Sequence, residues 1–358
     1  MRDFSEAPFL VIWVAAQACD LACRHCRASA NPQRNPLELN TAEARALIEQ
    51  IKAFGDPLMV FTGGDPLKRS DIFELLRHSV DNGLRTTITP SATPLLSDDA
   101  VERIQACGVS RMAVSLDGPD AASHDDFRQV AGSFSRTIGA LRHASSIGLE
   151  TQINTTVTRY NRHRLEEIAA LVEREKARLW SVFFLIVTGR AEAQHDLSPA
   201  EYEEVFEFLY RTSLRASFDI KTTEAQHYRR YVARQTKSLP APRGTRPASP
   251  MTAIARQAGI NDGKGLLFVS HTGEIFPSGF LEISAGNVRR TPLADSYRHS
   301  DLFRALRDSS RLEGKCGACE YRNLCGGSRS RAHALTGNFL AADPSCVYQP
   351  EATLAAQR

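Results

Sequence analysis

Long hydrophobic runs are missing from this sequence. No stretch of about 18 apolar residues occurs among its 358 residues, so no membrane-spanning helix is expected. A strong charge of either sign is missing too: 44 Lys and Arg face 41 Asp and Glu, a formal net charge of +3. That balance argues against a nucleic acid or a membrane surface as partner. The first apolar run, "PFLVIWVAAQAC", imitates a short export signal ending at a modifiable Cys19, but the preceding "MRDFSE" carries one base against two acids. Export signals begin with positive charge. A reduced, cytoplasmic setting is expected instead, where clustered thiols read as metal ligands and not as disulfides. Internal repeats are absent. Cysteine is scarce and uneven: of eight, only Cys107 stands alone, in "IQACGV", where a buried structural thiol is expected.

What is present is a regular alternation. Strands are predicted at 9–15, 57–61, 84–89, 109–115, 149–157 and 179–187, with helices near 41–54, 70–82, 97–107, 133–147 and 161–177. Gly83, Gly108 and Gly148 fall between a helix end and the next strand, where a left-handed turn suits glycine. "SPAE", Ser198 to Glu201, is a capping box that should open a helix to about residue 215. Six βα units in succession imply an α/β fold with a parallel sheet, either open or a full or partial barrel. In each case chemistry gathers at the carboxyl ends of the strands. The pattern weakens over 216–260, where "RQTKSLPAPRGTRPASP" (234–250) reads as a loop, linker or lid. "GKGLLFVSHTGEIFP" then reads as a β-hairpin turning at Thr272-Gly273.

The thiols form two groups. Cys19, Cys23 and Cys26 in "CDLACRHC" follow the first strand at C-x3-C-x2-C spacing. A fourth ligand for zinc is not evident nearby, because His25 lies between two of the cysteines and would point away. Three thiolates can instead hold three irons of a 4Fe–4S cube and leave the fourth iron open for chemistry. Cys316, Cys319, Cys325 and Cys346 form the second group. Four thiolates saturate a second cube, and the spacing also fits a structural zinc site.

The first motif, on this scaffold, resembles that of radical S-adenosylmethionine (SAM) enzymes. The resemblance implies a partial (β/α)6 TIM-like barrel in which Cys19, Cys23 and Cys26 hold the catalytic, SAM-binding 4Fe–4S cluster. In that family the open iron chelates SAM, and reduction of the cluster yields methionine and a 5′-deoxyadenosyl radical. Gly63, Gly64, Asp65 and Pro66 in "FTGGDPL" occupy the family's GGEP position, which contacts the SAM amino group, with Asp for the commoner Glu. Ser115 and Asp117 in "VSLDGP" are similar to its carboxylate and ribose contacts. Asn154, and Thr188 and Arg190 of "VTGR", fall where ribose and adenine contacts occur. His25 takes the usually aromatic place beside the adenine.

The tail resembles the SPASM module or its shortened twitch form. "HTGEIFPSGF" is similar to the hairpin and "CGACEYRNLCGGSRSRA" to the cysteine run, with Ser278 and Ser328 where the full module often has cysteines. One auxiliary 4Fe–4S cluster is implied. The expected division is a core over 1–200, a variable connection over 201–260 and an auxiliary-cluster domain over 261–358. Within the family the tail looks most like enzymes of alternative haem synthesis, which modify porphyrin propionates. Arg322, Arg329 and Arg331 around the second group are candidate carboxylate forks, though ordinary solvent-exposed arginines are the simpler expectation. The alternative substrate is a ribosomally made peptide, for which no recognition domain is visible. An electron donor such as flavodoxin or ferredoxin would be needed in either case. A mere iron–sulfur carrier or sensor would need neither an open iron nor the "GGDP" and "SLDG" sites.

Overall fold

The computed structural model describes residues 3–237 and 259–351. The strands are β1 (Leu10–Ala16), β2 (Leu58–Gly63), β3 (Arg85–Ile88), β4 (Arg111–Ser115), β5 (Thr151–Val157), β6 (Leu179–Phe184), β7 (Asp219–Thr223), β8 (Leu266–Val269) and β9 (Ile275–Phe276). Among the described residues these nine form one sheet in the order β7-β6-β5-β4-β3-β2-β1-β8-β9. All neighbours pair parallel except β8 with β9. The six expected βα units are present and in order, and β7 and β9 stand as edges, so the α/β barrel stays partial.

Local sequence explains the elements. β1 reads "LVIWVAA" without alternation because helices cover one of its faces and the interior the other, as in buried parallel strands. β5 alternates instead: Thr151, Ile153, Thr155 and Val157 are buried, and Asn154 and Thr156 occupy the other face. α1 (Thr41–Lys52) starts with a capping box of Asn40 and Glu43. α2 (Ile72–Asp81), α3 (Asp98–Ala106), α5 (Ser133–Ser146) and α6 (Leu165–Arg174) follow their strands as expected. The turn glycines 83, 108 and 148 have φ of 76°, 80° and 77°. The Ser198–Glu201 box opens α7 (Pro199–Ser213), with Ser198 N donating to the Glu201 carboxylate at 2.7 Å.

Two α-helices and a strand before the tail were not expected. α4 (Ala121–Arg128), "AASHDDFR", has too few apolar residues to show a helical stripe. β7 "DIKTT" buries Ile220 alone, and α8 (His227–Lys237) is rich in Arg and Tyr, so the weak pattern from 216 concealed a strand and a helix. Residues 234–237 close α8, and the rest of the Pro-rich stretch lies outside the described residues.

The tail hairpin turns through Gly273 at φ 86°, whose N–H donates to Ser270 O at 3.1 Å. Because β8 pairs with β1, the tail continues the core sheet beside the strand that precedes the first cysteines. Short helices follow: α9 (Leu293–His299), α10 (Asp301–Arg307), α11 (Gly314–Gly317) and α12 (Arg329–Thr336). Trp13, Phe61, Trp180, Tyr202 and Tyr297 anchor the interior. Cys107 is buried as expected, its thiol donating to Phe73 O at 3.4 Å. No described helix is long and apolar enough to cross a membrane.

Candidate functional site

The loop after β1 folds back so that Cys19, Cys23 and Cys26 share one wall of a cavity of about 200 Å³. The opposite walls come from the carboxyl ends of five other strands: Gly63 and Gly64, Ser91, Ser115, Asn154 with Thr156, and Phe183 with Ile186. Each sulfur has a nitrogen donor directed at it. Leu21 N–H reaches Cys19 Sγ at 3.4 Å, Ala30 N–H reaches Cys26 Sγ at 3.5 Å, and Arg128 Nη1 reaches Cys23 Sγ at 3.5 Å. Donors of this kind stabilise the thiolates that hold iron–sulfur clusters. Burial pushes the Cys19 thiol up to about 11 against its hydrogen bonds with Ser91 and Leu21. A bound metal would ionise it.

Glycine is required where the loop is gripped. A Cβ on Gly64 would lie 2.2 Å from Gln17 O, and one on Gly189 2.2 Å from Arg27 O. The end of β2 and the segment after β6 thus press directly on the cysteine loop, and the donor set and its tight backing fit a 4Fe–4S group. His25 lines the cavity and stacks on Phe127 with centroids 4.5 Å apart. Burial first, then Arg128 and Arg190, holds its ring well below the usual imidazole range, so it is neutral. Its Nδ1 is buried without a partner.

Several expected contact residues are placed elsewhere. Ser115, Asn154, Gly63 and Gly64 line the cavity; Asp65, Pro66, Asp117, Thr188 and Arg190 do not. The Asp65 carboxylate is wholly buried and accepts from Leu67 N, Ser91 N and Thr93 Oγ1 at 3.1, 3.3 and 2.8 Å. Burial raises its pKa against these bonds. Pro66 opens the short 3-10 turn that Asp65 caps. Asp117 is turned to Arg128 and to Thr156 N, the latter at 2.7 Å. Thr188 N–H donates to Ile186 O within its own turn. Arg190 clamps the cysteine loop from above: Nε donates to Cys23 O and Nη1 to Ala30 O, both at 3.0 Å. The carboxylates turn inward because an ionised group buried away from water needs partners, which Thr93 and Arg128 supply. Arg27, Ser91 and Arg128 on the cavity wall were not expected; α4, which carries Arg128, showed no helical stripe.

Cys316, Cys319, Cys325 and Cys346 line a second, smaller pocket together with His227, Arg230, Lys315 and Tyr348. Asp343 N–H reaches Cys316 Sγ at 3.4 Å and Gly327 N–H reaches Cys325 Sγ at 3.3 Å. A Cβ on Gly327 would lie 3.2 Å from Cys316 Sγ. Burial pushes the Cys319 thiol up to about 11 and raises those of Cys325 and Cys346. Among the described residues no three His, Cys, Asp or Glu side chains draw close enough to hold a single ion. Ser278 and Ser328 are buried, bonded to Ser330 Oγ at 3.1 Å and to Glu224 Oε2 at 2.6 Å. The arginine expectation needs correction. Arg329 and Arg331 are buried and spent on carbonyls, Phe339 O and Ala341 O for one and Glu224 O and Leu185 O for the other. Arg322 is exposed and donates to Gly317 O.

Comparison with known proteins agrees with this geometry. The family model described as the radical SAM superfamily matches residues 13–172. A protein from Nitratidesulfovibrio vulgaris named AdoMet-dependent heme synthase is 42% identical over 98% of this chain and 95% of its own. A protein of the same name from Methanosarcina barkeri is 37% identical over 98% and 99%. The crystal structure of Streptococcus suis SuiB bound to S-adenosylmethionine shares the fold, with a TM-score of 0.74 at 18% identity, over 96% of this chain and 78% of that one.

Proposed function

We propose that this chain, which belongs to the radical SAM superfamily, oxidatively decarboxylates propionate side chains of a porphyrin or haem precursor. The chain is an iron–sulfur enzyme that uses SAM, and its substrate is the part proposed. The observation that carries the reading is the lining of the cavity that holds the three thiols, where Phe183, Ile186 and Phe280 give apolar surface alongside polar strand ends. Such a surface suits a flat aromatic macrocycle. The support from relatives is the name heme synthase on proteins similar over nearly the whole length.

In this reading Cys19, Cys23 and Cys26 hold the 4Fe–4S cluster that binds SAM. When bound and reduced, that cluster would supply the one electron that cleaves SAM to methionine and a 5′-deoxyadenosyl radical able to take hydrogen from carbon. The residues of the chain do the rest. Arg128 and the loop amides steady the sulfurs, and Arg190 fixes the loop backbone. Ser115, Asn154 and Thr156 present hydroxyl and amide groups to the cofactor side of the cavity, and the phenylalanines exclude water. Cys316, Cys319, Cys325 and Cys346 would hold the auxiliary 4Fe–4S cluster, which would supply an acceptor for the electron given up by the substrate radical as carbon dioxide leaves. Residues 1–200 form the core, 201–260 the connection and 261–358 the auxiliary domain. A flavodoxin or ferredoxin donates electrons, and the setting is cytoplasmic.

The test is anaerobic incubation of reconstituted enzyme with SAM, dithionite and iron coproporphyrin, followed by mass spectrometry. Each propionate converted to vinyl lightens the product by the elements of formic acid. SAM cleavage stimulated by a peptide, with porphyrin untouched, would turn the reading to maturation of a ribosomally made peptide.

A further inference from the structure

We propose that Arg27 anchors a carboxylate of the substrate, flanked by Phe268 and Phe280, and that Glu282 occupies the guanidinium until substrate arrives. This deepens the reading above and rests on it, since it concerns a carboxylate carried by a flat aromatic molecule.

Arg27 follows Cys26 directly and lines the cavity beside Phe280, with its side chain 17% exposed. Its guanidinium carbon lies 4.8 Å from the Phe268 ring centroid and 5.9 Å from that of Phe280. Both rings belong to the tail. A Cβ on Gly279 would fall 2.7 Å from the Phe268 ring and 3.2 Å from Arg27 Nε, so glycine there lets ring and guanidinium lie close. Rings on a guanidinium hold its plane and leave the N–H edge free.

That edge is underused. Arginine offers five N–H donors in a fork matched to carboxylate. Among the described residues the one acceptor of this side chain is Glu282 Oε1, at 3.1 Å from Nη1. Glu282 is 49% exposed, so its grip is a surface ion pair of little strength. The other arginine lining the cavity, Arg128, is committed to Asp117 and Cys23, and Arg190, outside the lining, is committed to two loop carbonyls. A substrate carboxylate in the cavity would meet a desolvated, pre-oriented fork whose present partner can swing into water. The adjoining phenylalanines would cover the hydrocarbon that carries it.

The experiment is an absorbance titration of anaerobic holoenzyme with iron coproporphyrin and, separately, with its tetramethyl ester. Wild-type enzyme should bind the acid more tightly than the ester. Arg27→Gln should weaken the acid by roughly tenfold to a hundredfold, the range of a charge-assisted hydrogen bond, and leave the ester nearly unchanged. Iron content and SAM affinity are measured alongside. Glu282→Ala, in another element, removes the competitor and should tighten the acid. If the wild type binds acid and ester and Arg27→Gln binds the acid equally well, the anchor is wrong while the substrate reading survives. If the wild type binds neither, the substrate reading fails and the anchor with it. Should Arg27→Gln lose its iron, Glu282→Ala decides: an acid affinity no tighter than wild type overturns the proposal.

Discussion

Arg128 gives one guanidinium nitrogen to Cys23 Sγ at 3.5 Å, while a second nitrogen meets the buried Asp117 carboxylate. One cation thus joins a sulfur of the first thiol group to the end of β4. Asp117 is itself held by Thr156 N at 2.7 Å, so the guanidinium has a fixed seat. Losing it removes both a positive charge and a donor beside the sulfur, which favours the oxidised cluster. Arg128→Gln should lower the potential of the first cluster by roughly 20–60 mV, the one-electron equivalent of a hydrogen bond worth about 0.5–1.5 kcal/mol. Redox titration followed by electron paramagnetic resonance reads this directly, and an unmoved potential in protein of normal iron content removes the role.

Asp65 has a different duty. Its three acceptor bonds tie the end of β2 to the segment after β3, and it does not reach the cavity. Asp65→Ala should therefore cost about 1.5–3 kcal/mol in denaturant unfolding, through unpaired buried donors. SAM affinity should change by less than about threefold, well under the 1.4 kcal/mol that a tenfold change represents. A tenfold loss of SAM binding at unchanged stability would instead establish a direct contact.

Cys319 separates the two thiol groups. Reconstituted wild-type protein should hold about eight iron and eight sulfide, two cubes of four. Cys319→Ala should retain 5′-deoxyadenosine formation while losing finished product, because the first group still serves SAM. Circular dichroism controls for folding, since a lost cluster can loosen its domain. Normal product formation by the folded variant would make the second site structural.

Asp120 caps α4, the helix that supplies Arg128 and Phe127. The Ser123 amide and hydroxyl, then Arg164, hold its carboxyl down at about 2. Since the folded value lies below the unfolded one, the stabilisation is complete above the unfolded pKa near 3.8 and is lost as pH falls towards 2. Asp120→Asn, which cannot ionise, should show a smaller loss of stability than wild type between those pH values. Parallel acid unfolding curves for the two proteins would refute this.

Features that depend on neighbours in the chain could be read from residue types alone. Strand and helix periods, the left-handed glycines, the Ser198 capping box and the spacing of the thiols are local, so the βα order and both cysteine groups were legible from residue types. α4 and β7 were not, because they take their stability from what they pack on and show almost no apolar pattern of their own. Tertiary structure decided which side chains reach the cavity. Asp65 and Asp117 stand at strand ends as their motifs require, yet turn inward because Thr93 and Arg128 arrive from other elements to compensate their buried charge. Arg27 and Glu282 are 255 positions apart and meet because β8 docks on β1. No local pattern carries that information, since the energy of a buried charge depends on whatever the fold brings within hydrogen-bond distance of it.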